Sequence, residues 1–282
     1  MNAMKTTILL AALTGILVLF GDMMGGPQGA SMALIFAGVM NFASLFYSDK
    51  IILKMYKAQE VGPTELPQLY NTVKRLAEKN NMPMPKVYAI NSESPNAFAT
   101  GRSPKHASVA ATVGIMRILN EEELEGVMAH ELAHVKNRDT LISTIAATIA
   151  GAITWIATMV RWGAMFGGGM RGGNNRNNMW GSLALAIVAP IAAMFIQMAI
   201  SRSREYAADS MGAKFCGKPL SLANALAKLS QAAQVKPMQG SASTAHMFIV
   251  NPFRGGVSSL FSTHPPMEER IKRLHDLSRQ MA

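Results

Sequence analysis

The hydrophobic positions along the chain fall into two regimes. Four stretches are apolar on every face and approach the roughly 20 residues that cross a bilayer as a helix. They run from Thr6 to Phe20, Met32 to Tyr47, Leu141 to Val160 and Gly181 to Ile200. The last two carry no charged residue, and Pro190 predicts a kink in the fourth. The shortest, Thr6 to Phe20, also fits a buried soluble helix, a reading that serves poorly for all four. Elsewhere apolar and polar positions alternate. Leu66, Leu69, Tyr70, Val73, Leu76 and Ala77 recur at helical spacing after Thr64, and Pro83 and Pro85 end that helix. Lys86 to Ile90 reads as a short strand, Ala97 to Thr100 as a second, and the β-branched run Ser108 to Ile115 as a third. Met267, Ile271, Leu274 and Leu277 mark a last helix. The fold class is mainly α with a small β-sheet, in a polytopic membrane protein with an α+β soluble part.

The domain order follows. Residues 1–47 hold two N-terminal spans and residues 48–140 the first half of the soluble domain. Residues 141–200 hold a second helix pair around a Gly/Asn-rich loop, and residues 201–282 the second half. The loop, Gly167 to Asn178, has a linker's composition and lacks the strand and Lys-Ser/Thr of a phosphate loop. The first stretch follows Lys5 but precedes no small-x-small cleavage site, so it reads as an uncleaved signal anchor.

Composition supports this picture. Of 282 residues 49% are hydrophobic and 16% charged, against about 25% charged in soluble domains. The deficit excludes disorder and a coiled coil. Cys216 is the single cysteine, which excludes an internal disulfide and a cysteine metal cluster. The net charge is +10, but its Lys and Arg are spread thinly beside apolar stretches. That distribution favours lipid headgroups as the partner and argues against nucleic acid. The loop from Gly21 to Ser31 has no Lys or Arg, Ser48 to Thr140 has twelve, and Ser201 to Ala282 has eleven. The bias toward positive cytoplasmic segments then puts both soluble halves in the cytoplasm of a multi-pass protein of the inner (cytoplasmic) membrane. Arg161, Arg171 and Arg176 resist a full crossing of the second pair, for which a shallow hairpin in the cytoplasmic leaflet is the alternative.

The chemistry concentrates at His130-Glu131-Leu132-Ala133-His134. Histidines four apart share a helix face and can reach one metal, and a glutamate between them is placed to activate a metal-bound water. With six histidines and twelve glutamates in 282 residues, such a match arises by chance on the order of 0.005 times per chain. The helix is well signalled. Asn120 and Glu123 stand at the capping-box positions and Leu119 and Leu124 at the hydrophobic staple. Glu121, Glu122, Glu123 and Glu125 read as a solvated first turn matched to the helix dipole. Two imidazoles leave a catalytic zinc one ligand short. Glu205, on a stretch where Asp209 follows four residues on, would complete a His₂Glu set, with Asp209 accepting the free ring N–H of a ligand histidine. An ordinary charged juxtamembrane helix is the other reading of that stretch.

HExxH, then Arg204-Glu205-Tyr206-Ala207-Ala208-Asp209, then Ser262-Thr263-His264-Pro265 resembles the HtpX-type integral-membrane metalloproteases. These are gluzincins related to the CAAX prenyl proteases. The resemblance covers nearly the whole chain, including Asn137-Arg138-Asp139 and the stretch Ser94 to Gly101, which looks like the family's edge-strand motif. It implies a zincin-like catalytic domain with one Zn²⁺ per subunit on His130, His134 and Glu205, and Glu131 as general base and acid. Asn96, Ala97, Phe98, Ala99 and Thr100 become the strand on which an extended substrate pairs, and an exposed edge does offer backbone groups to any sequence. His264 is the candidate donor to the developing oxyanion and Arg270 a supporting ion pair, while His106, His246 and His275 read as solvated. The implied function is degradation of misfolded or unassembled membrane proteins in stress-related quality control. The rivals are an intramembrane protease, a prenyl-peptide protease and a non-catalytic zinc-retaining scaffold or chaperone. Lys136, Arg138 and Asp139 directly after the motif argue against the first, the absence of further spans against the second, and the intact Glu131 against the third. If the helices continue, the zinc lies about 10 Å beyond the end of the third apolar stretch, just above the cytoplasmic surface.

Overall fold

The computed structural model describes residues 2–142, 202–235, 249 and 265–281. The first helical run, α1 (Asn2–Met55), breaks at Gly25 and Gly26. Gly26 sits at φ 59°, ψ −150°, a conformation only glycine takes without strain. Pro27 follows at the start of the second limb, where its missing N–H is not needed. The limbs return alongside each other: Asn41 Nδ2 donates to Thr14 Oγ1 at 2.9 Å, and that hydroxyl donates to the Leu10 carbonyl at 2.9 Å. Ile8, Leu19, Met32, Ile35, Val39 and Phe42 are each more than half exposed. Among the described residues one helix, Gly25–Tyr47, is long and apolar enough to cross a membrane, and Leu10–Asp22 is a shorter apolar helix. The third and fourth apolar stretches and the Gly/Asn-rich loop lie outside the described residues, apart from Leu141 and Ile142.

The second limb runs on into the soluble part. Ile52 and Leu53 are buried against Ile90, Phe98 and Ala110, on one face of a four-stranded sheet. The strands are β1 (Gln59–Glu60), β2 (Lys86–Ile90), β3 (Ala97–Gly101) and β4 (Ala107–Thr112), in the spatial order β1-β2-β4-β3. β2 and β4 are parallel, and the outer pairs are antiparallel. Alternate residues Val87, Ala97, Ala99, Val109 and Ala111 turn to the opposite face and join the main core. There they meet α2 (Pro67–Lys79), whose Leu69, Val73, Leu76 and Ala77 are buried as the periodicity predicts.

One predicted strand is shorter than its β-branched run. β4 stops at Thr112, and α3 (Val113–Ile118) begins where a strand to Ile115 is expected. The physical reason is Thr112 itself. Its hydroxyl accepts from the Ile115 N–H at 3.2 Å and from the Asn96 N–H at 2.9 Å, capping a helix and fixing the start of β3 together.

α4 (Glu121–Asn137) carries the HExxH sequence through the middle of the core. Both predicted capping-box bonds form, at 2.9 Å each, and Leu119 and Leu124 are buried. The predicted solvated first turn is corrected at two positions. Glu123 and Glu125 are buried, because Lys228 reaches Glu123 at 2.7 Å while Arg75 and Lys218 reach Glu125 at 3.4 and 3.7 Å. Three helices from the second half complete the core: α5 (202–216), α6 (Pro219–Val235) and α7 (Met267–Met281). Ala208, Ala213, Leu222, Leu226, Leu229 and Leu274 share one cluster with Leu124, Met128 and Leu132 of α4.

Candidate metal centre

α4 does not run straight on as helical continuity from His134 would require. It ends at Asn137, and Arg138 adopts the left-handed conformation (φ 58°, ψ 29°) before a new helical turn begins at residue 139. That reversal brings Asp139 back over the last turn, so that Asp139 Oδ2 lies 3.2 Å from His134 Nδ1. Asp139 was legible only as the end of a motif. Its position five residues after the second histidine, past a helix end, is the signal that could have found it.

α5 supplies the other side. Gly212 lets it approach α4 closely: a Cβ there would stand 2.8 Å from both the N and Cα of His130. The close crossing places Glu205 and Asp209 over the two histidines. Asp209 Oδ1 is 2.9 Å from His130 Nδ1. The two Nδ1 atoms thus each face a carboxylate, which holds both rings with Nε2 turned inward. The Nε2 atoms are 3.2 Å apart. Glu205 Oε1 is 3.4 Å from His134 Nε2, and Glu205 Oε2 is 3.8 Å from His130 Nε2. The predicted trio His130, His134 and Glu205 therefore converges, with all donor atoms within 4.8 Å of one another.

The donor set fits a metal. With a carboxylate beside each Nδ1, the Nε2 lone pairs are aimed at one another and at a carboxylate oxygen, an arrangement that is repulsive unless a cation lies between them. Ligands about 2.1 Å from a tetrahedral ion stand roughly 3.4 Å apart, close to the observed separations. Without a metal a proton does this work. Burial lowers the His134 pKa, but its bonds to Asp139 and Glu205 and the charges of Glu205 and Glu131 outweigh that and raise it to about 10. His130 moves the other way, since burial lowers it more than Asp209 raises it.

Glu131 is buried within α4, and burial first, then the Glu205 charge, push its pKa up to about 8 against the pull of His134. Its carboxylate accepts a hydrogen bond from the Ala99 backbone on β3. Among the described residues β3 is an edge strand, bonded to β4 alone. The Asn96 carbonyl accepts from the Thr112 N–H at 2.9 Å, so residues 96, 98 and 100 turn their backbone groups toward β4, and 97, 99 and 101 turn theirs to the free edge. Thr140 Oγ1 donates to the outward Gly101 carbonyl at 2.8 Å. The sequence names Asn96 to Thr100 together; the register separates Ala97 and Ala99 as the outward pair. An exposed edge is not what is found, because β3 is buried along its whole length. Its small residues pack on α4 and its Phe98 on the end of α1.

Arg270 is fully buried and joins the same network. Its guanidinium and the His130 imidazole hold the Asp209 carboxyl at about 2, although burial alone would raise it. His264 and His246 lie outside the described residues, whereas His106 and His275 are exposed.

Two helix-borne histidines, a carboxylate from a second helix, a buried glutamate between them and a strand edge alongside make a metallopeptidase site. The chain belongs to Peptidase family M48, whose pattern matches residues 63–278. It is 56% identical over 275 residues to the protease HtpX homolog of Desulforapulum autotrophicum, covering 97% of this chain and 89% of that one. It is also 56% identical to the protease HtpX homolog of Thermodesulfovibrio yellowstonii, over 99% of this chain and all of that one. The resemblance read from the motifs holds. Ste24p of S. mikatae has a related fold, with a TM-score of 0.56 at 19% identity over 97% of this chain. This chain spans 65%, just under two thirds, of that protein.

Proposed function

We propose that the chain is a membrane-bound, zinc-dependent endopeptidase, with His130, His134 and Glu205 as metal ligands. One observation carries the reading: three donors converge beside a buried Glu131 that is bonded to the free edge of β3. Two imidazoles and one carboxylate suit zinc among the common ions. A bound zinc ion would polarise the scissile carbonyl and acidify the attacking water. Glu131 takes the proton from that water and returns it to the leaving amine. The Ala99 N–H holds the Glu131 carboxylate in place, and the outward Ala97 and Ala99 carbonyls offer acceptors to an extended peptide. His264 is kept as the candidate oxyanion donor on its motif alone.

On this reading the apolar surface of the α1 limbs faces lipid. The second helix pair is membrane-embedded, and residues 48–140 and 201–282 form one cytoplasmic catalytic unit. The orientation rests on the Lys/Arg distribution. The biological role is degradation of unassembled or misfolded membrane proteins in envelope-stress quality control, which the family resemblance supports.

The test uses full-length protein in detergent. An unfolded membrane protein and its folded form are offered as substrates, with metal content measured in parallel. Cleavage of the unfolded form alone, lost with a chelator and restored by Zn²⁺, is expected. Glu131→Gln should keep the metal and lose cleavage, whereas Glu205→Ala should lose both. Full cleavage by Glu131→Gln would refute the mechanism.

A further inference from the structure

The C-terminal helix α7 brings none of the three metal donors, yet it reaches the site through Arg270, one of the least exposed side chains among the described residues. Arg270 Nε and Nη2 donate to Asp209 Oδ2 and Oδ1 at 2.8 and 2.7 Å, a two-pronged pairing that uses both carboxylate oxygens. Nη1 donates to the Ile249 carbonyl at 3.2 Å and lies 3.3 Å from Glu205 Oε2. Asp209 Oδ1 in turn faces His130 Nδ1. One guanidinium therefore touches both a donor carboxylate and the carboxylate that orients a donor imidazole.

Burying an arginine costs several kcal/mol of desolvation unless charge and hydrogen bonds offset it, and an apolar residue fills such a space more cheaply. What offsets it here is the site itself. Glu131, Glu205, Asp139 and Asp209 crowd around the two histidines, and Arg204 beside Asp139 and Glu205 offsets only part of that carboxylate charge. Arg270 cancels the Asp209 charge. The fork fixes the plane of the Asp209 carboxylate, and with it the His130 ring. Nη1 holds Glu205 Oε2, which leaves Oε1 toward His134.

We infer that Arg270 is a positioning residue for the metal donors, so that docking of α7, and not the donor trio alone, sets the metal affinity. This rests on the metal reading above. The test measures Zn²⁺ affinity of the full-length protein in detergent by competition with a chromophoric chelator, and the visible absorption of the Co²⁺ form. Arg270→Met removes the charge and the fork; Arg270→Lys keeps the charge and loses the fork. Arg270→Met should weaken Zn²⁺ binding about 10–100-fold and change the Co²⁺ spectrum, as changes to groups behind metal ligands do. Arg270→Lys should fall between Arg270→Met and the parent. The losses in Arg270→Met and Asp209→Asn should not add in the double variant, because both break one contact. Parental Zn²⁺ affinity in a folded Arg270→Met, or strictly additive losses, would overturn the inference. Should Arg270→Met not fold, parental affinity and an unchanged Co²⁺ spectrum in Arg270→Lys overturn it instead. A parent protein that binds neither metal sinks the metal reading itself, a separate result.

Discussion

Replacing Gly212 by alanine adds one methyl group at the crossing of α4 and α5. It would stand 2.8 Å from the N and Cα of His130 and 3.1 Å from the Ala129 carbonyl carbon. Non-bonded carbons settle at about 3.5–4.0 Å, so the helices must part by roughly 0.7–1.2 Å. The atoms in the way are backbone within a helix, and no rotamer change removes them. Overpacking of this kind costs about 1–3 kcal/mol, while alanine in place of glycine inside a helix returns about 1 kcal/mol. The net change in stability is therefore only about 0–2 kcal/mol destabilising, and thermal unfolding alone is a poor readout. Metal affinity is the sharper one. α5 carries Glu205 and Asp209, and moving it outward by that amount stretches the 2.9 Å contact between Asp209 and His130 beyond hydrogen-bond range. Zn²⁺ affinity should fall about 10–100-fold, with far-UV dichroism unchanged. The assay is chelator competition on the parent and Gly212→Ala proteins, with unfolding followed at zero and saturating Zn²⁺. If Gly212→Ala binds Zn²⁺ as tightly as the parent, the close crossing does not set the donor geometry, and the packing argument fails.

Three further outcomes follow. A metal must displace the proton that His134 holds up to a pKa of about 10, so binding should strengthen with pH, by at most about tenfold per unit, and release protons into a weakly buffered dye solution; binding with no proton release and no pH dependence would contradict this. Asp139→Asn keeps the size of the side chain but removes the charge beside His134 Nδ1, and should weaken Zn²⁺ binding about 10–100-fold in the same competition assay; parental affinity would show that Asp139 does not orient the ring. A reporter active only outside the cytoplasm, fused after Ala282, should stay silent, and activity there would reverse the proposed topology.

The parts of the fold legible in the sequence are those governed by local rules. The Asn120–Glu123 box, the α2 periodicity and the β2 run depend on neighbours within a few residues, and each forms as spacing predicts. What the sequence hides depends on distant partners. Glu123 and Glu125 look like solvent-facing acids until Lys228 and Arg75 arrive from α6 and α2. The run through Ile115 looks like strand because the Thr112 hydroxyl, which stops it, looks like any β-branched residue until Asn96 is beside it. In the site, the HExxH spacing and the four-residue step from Glu205 to Asp209 were readable as shared helix faces. The turn that returns Asp139 was not, because it leaves no periodic trace; Arg270 is marked as a supporting ion pair by the family resemblance, but its reach over 61 residues to Asp209 was not readable from spacing.

One strand ties the two environments of this protein together. On one face of β3, Phe98 packs on Leu53 and Ile52, the last turns of the helix long enough to span a bilayer, and its ring lies 5.9 Å from that of Tyr56. At the strand's end Arg102 stacks on Phe46 at 4.8 Å, just inside the apolar segment that closes at Tyr47. On the other face Ala97 and Ala99 pack toward α4, and the Ala99 backbone holds Glu131. On the membrane reading, a helix that leaves the bilayer at Tyr47 would fix the height of β3 through contacts made only a few residues later, about 12 Å along the helix at Met55. Glu131, the proposed general base, is fixed to the same strand. On the membrane reading, the edge that would bind substrate lies within about two helical turns of the lipid surface, so a chain emerging from the bilayer reaches it before it can fold elsewhere, whereas a soluble chain must come to the membrane.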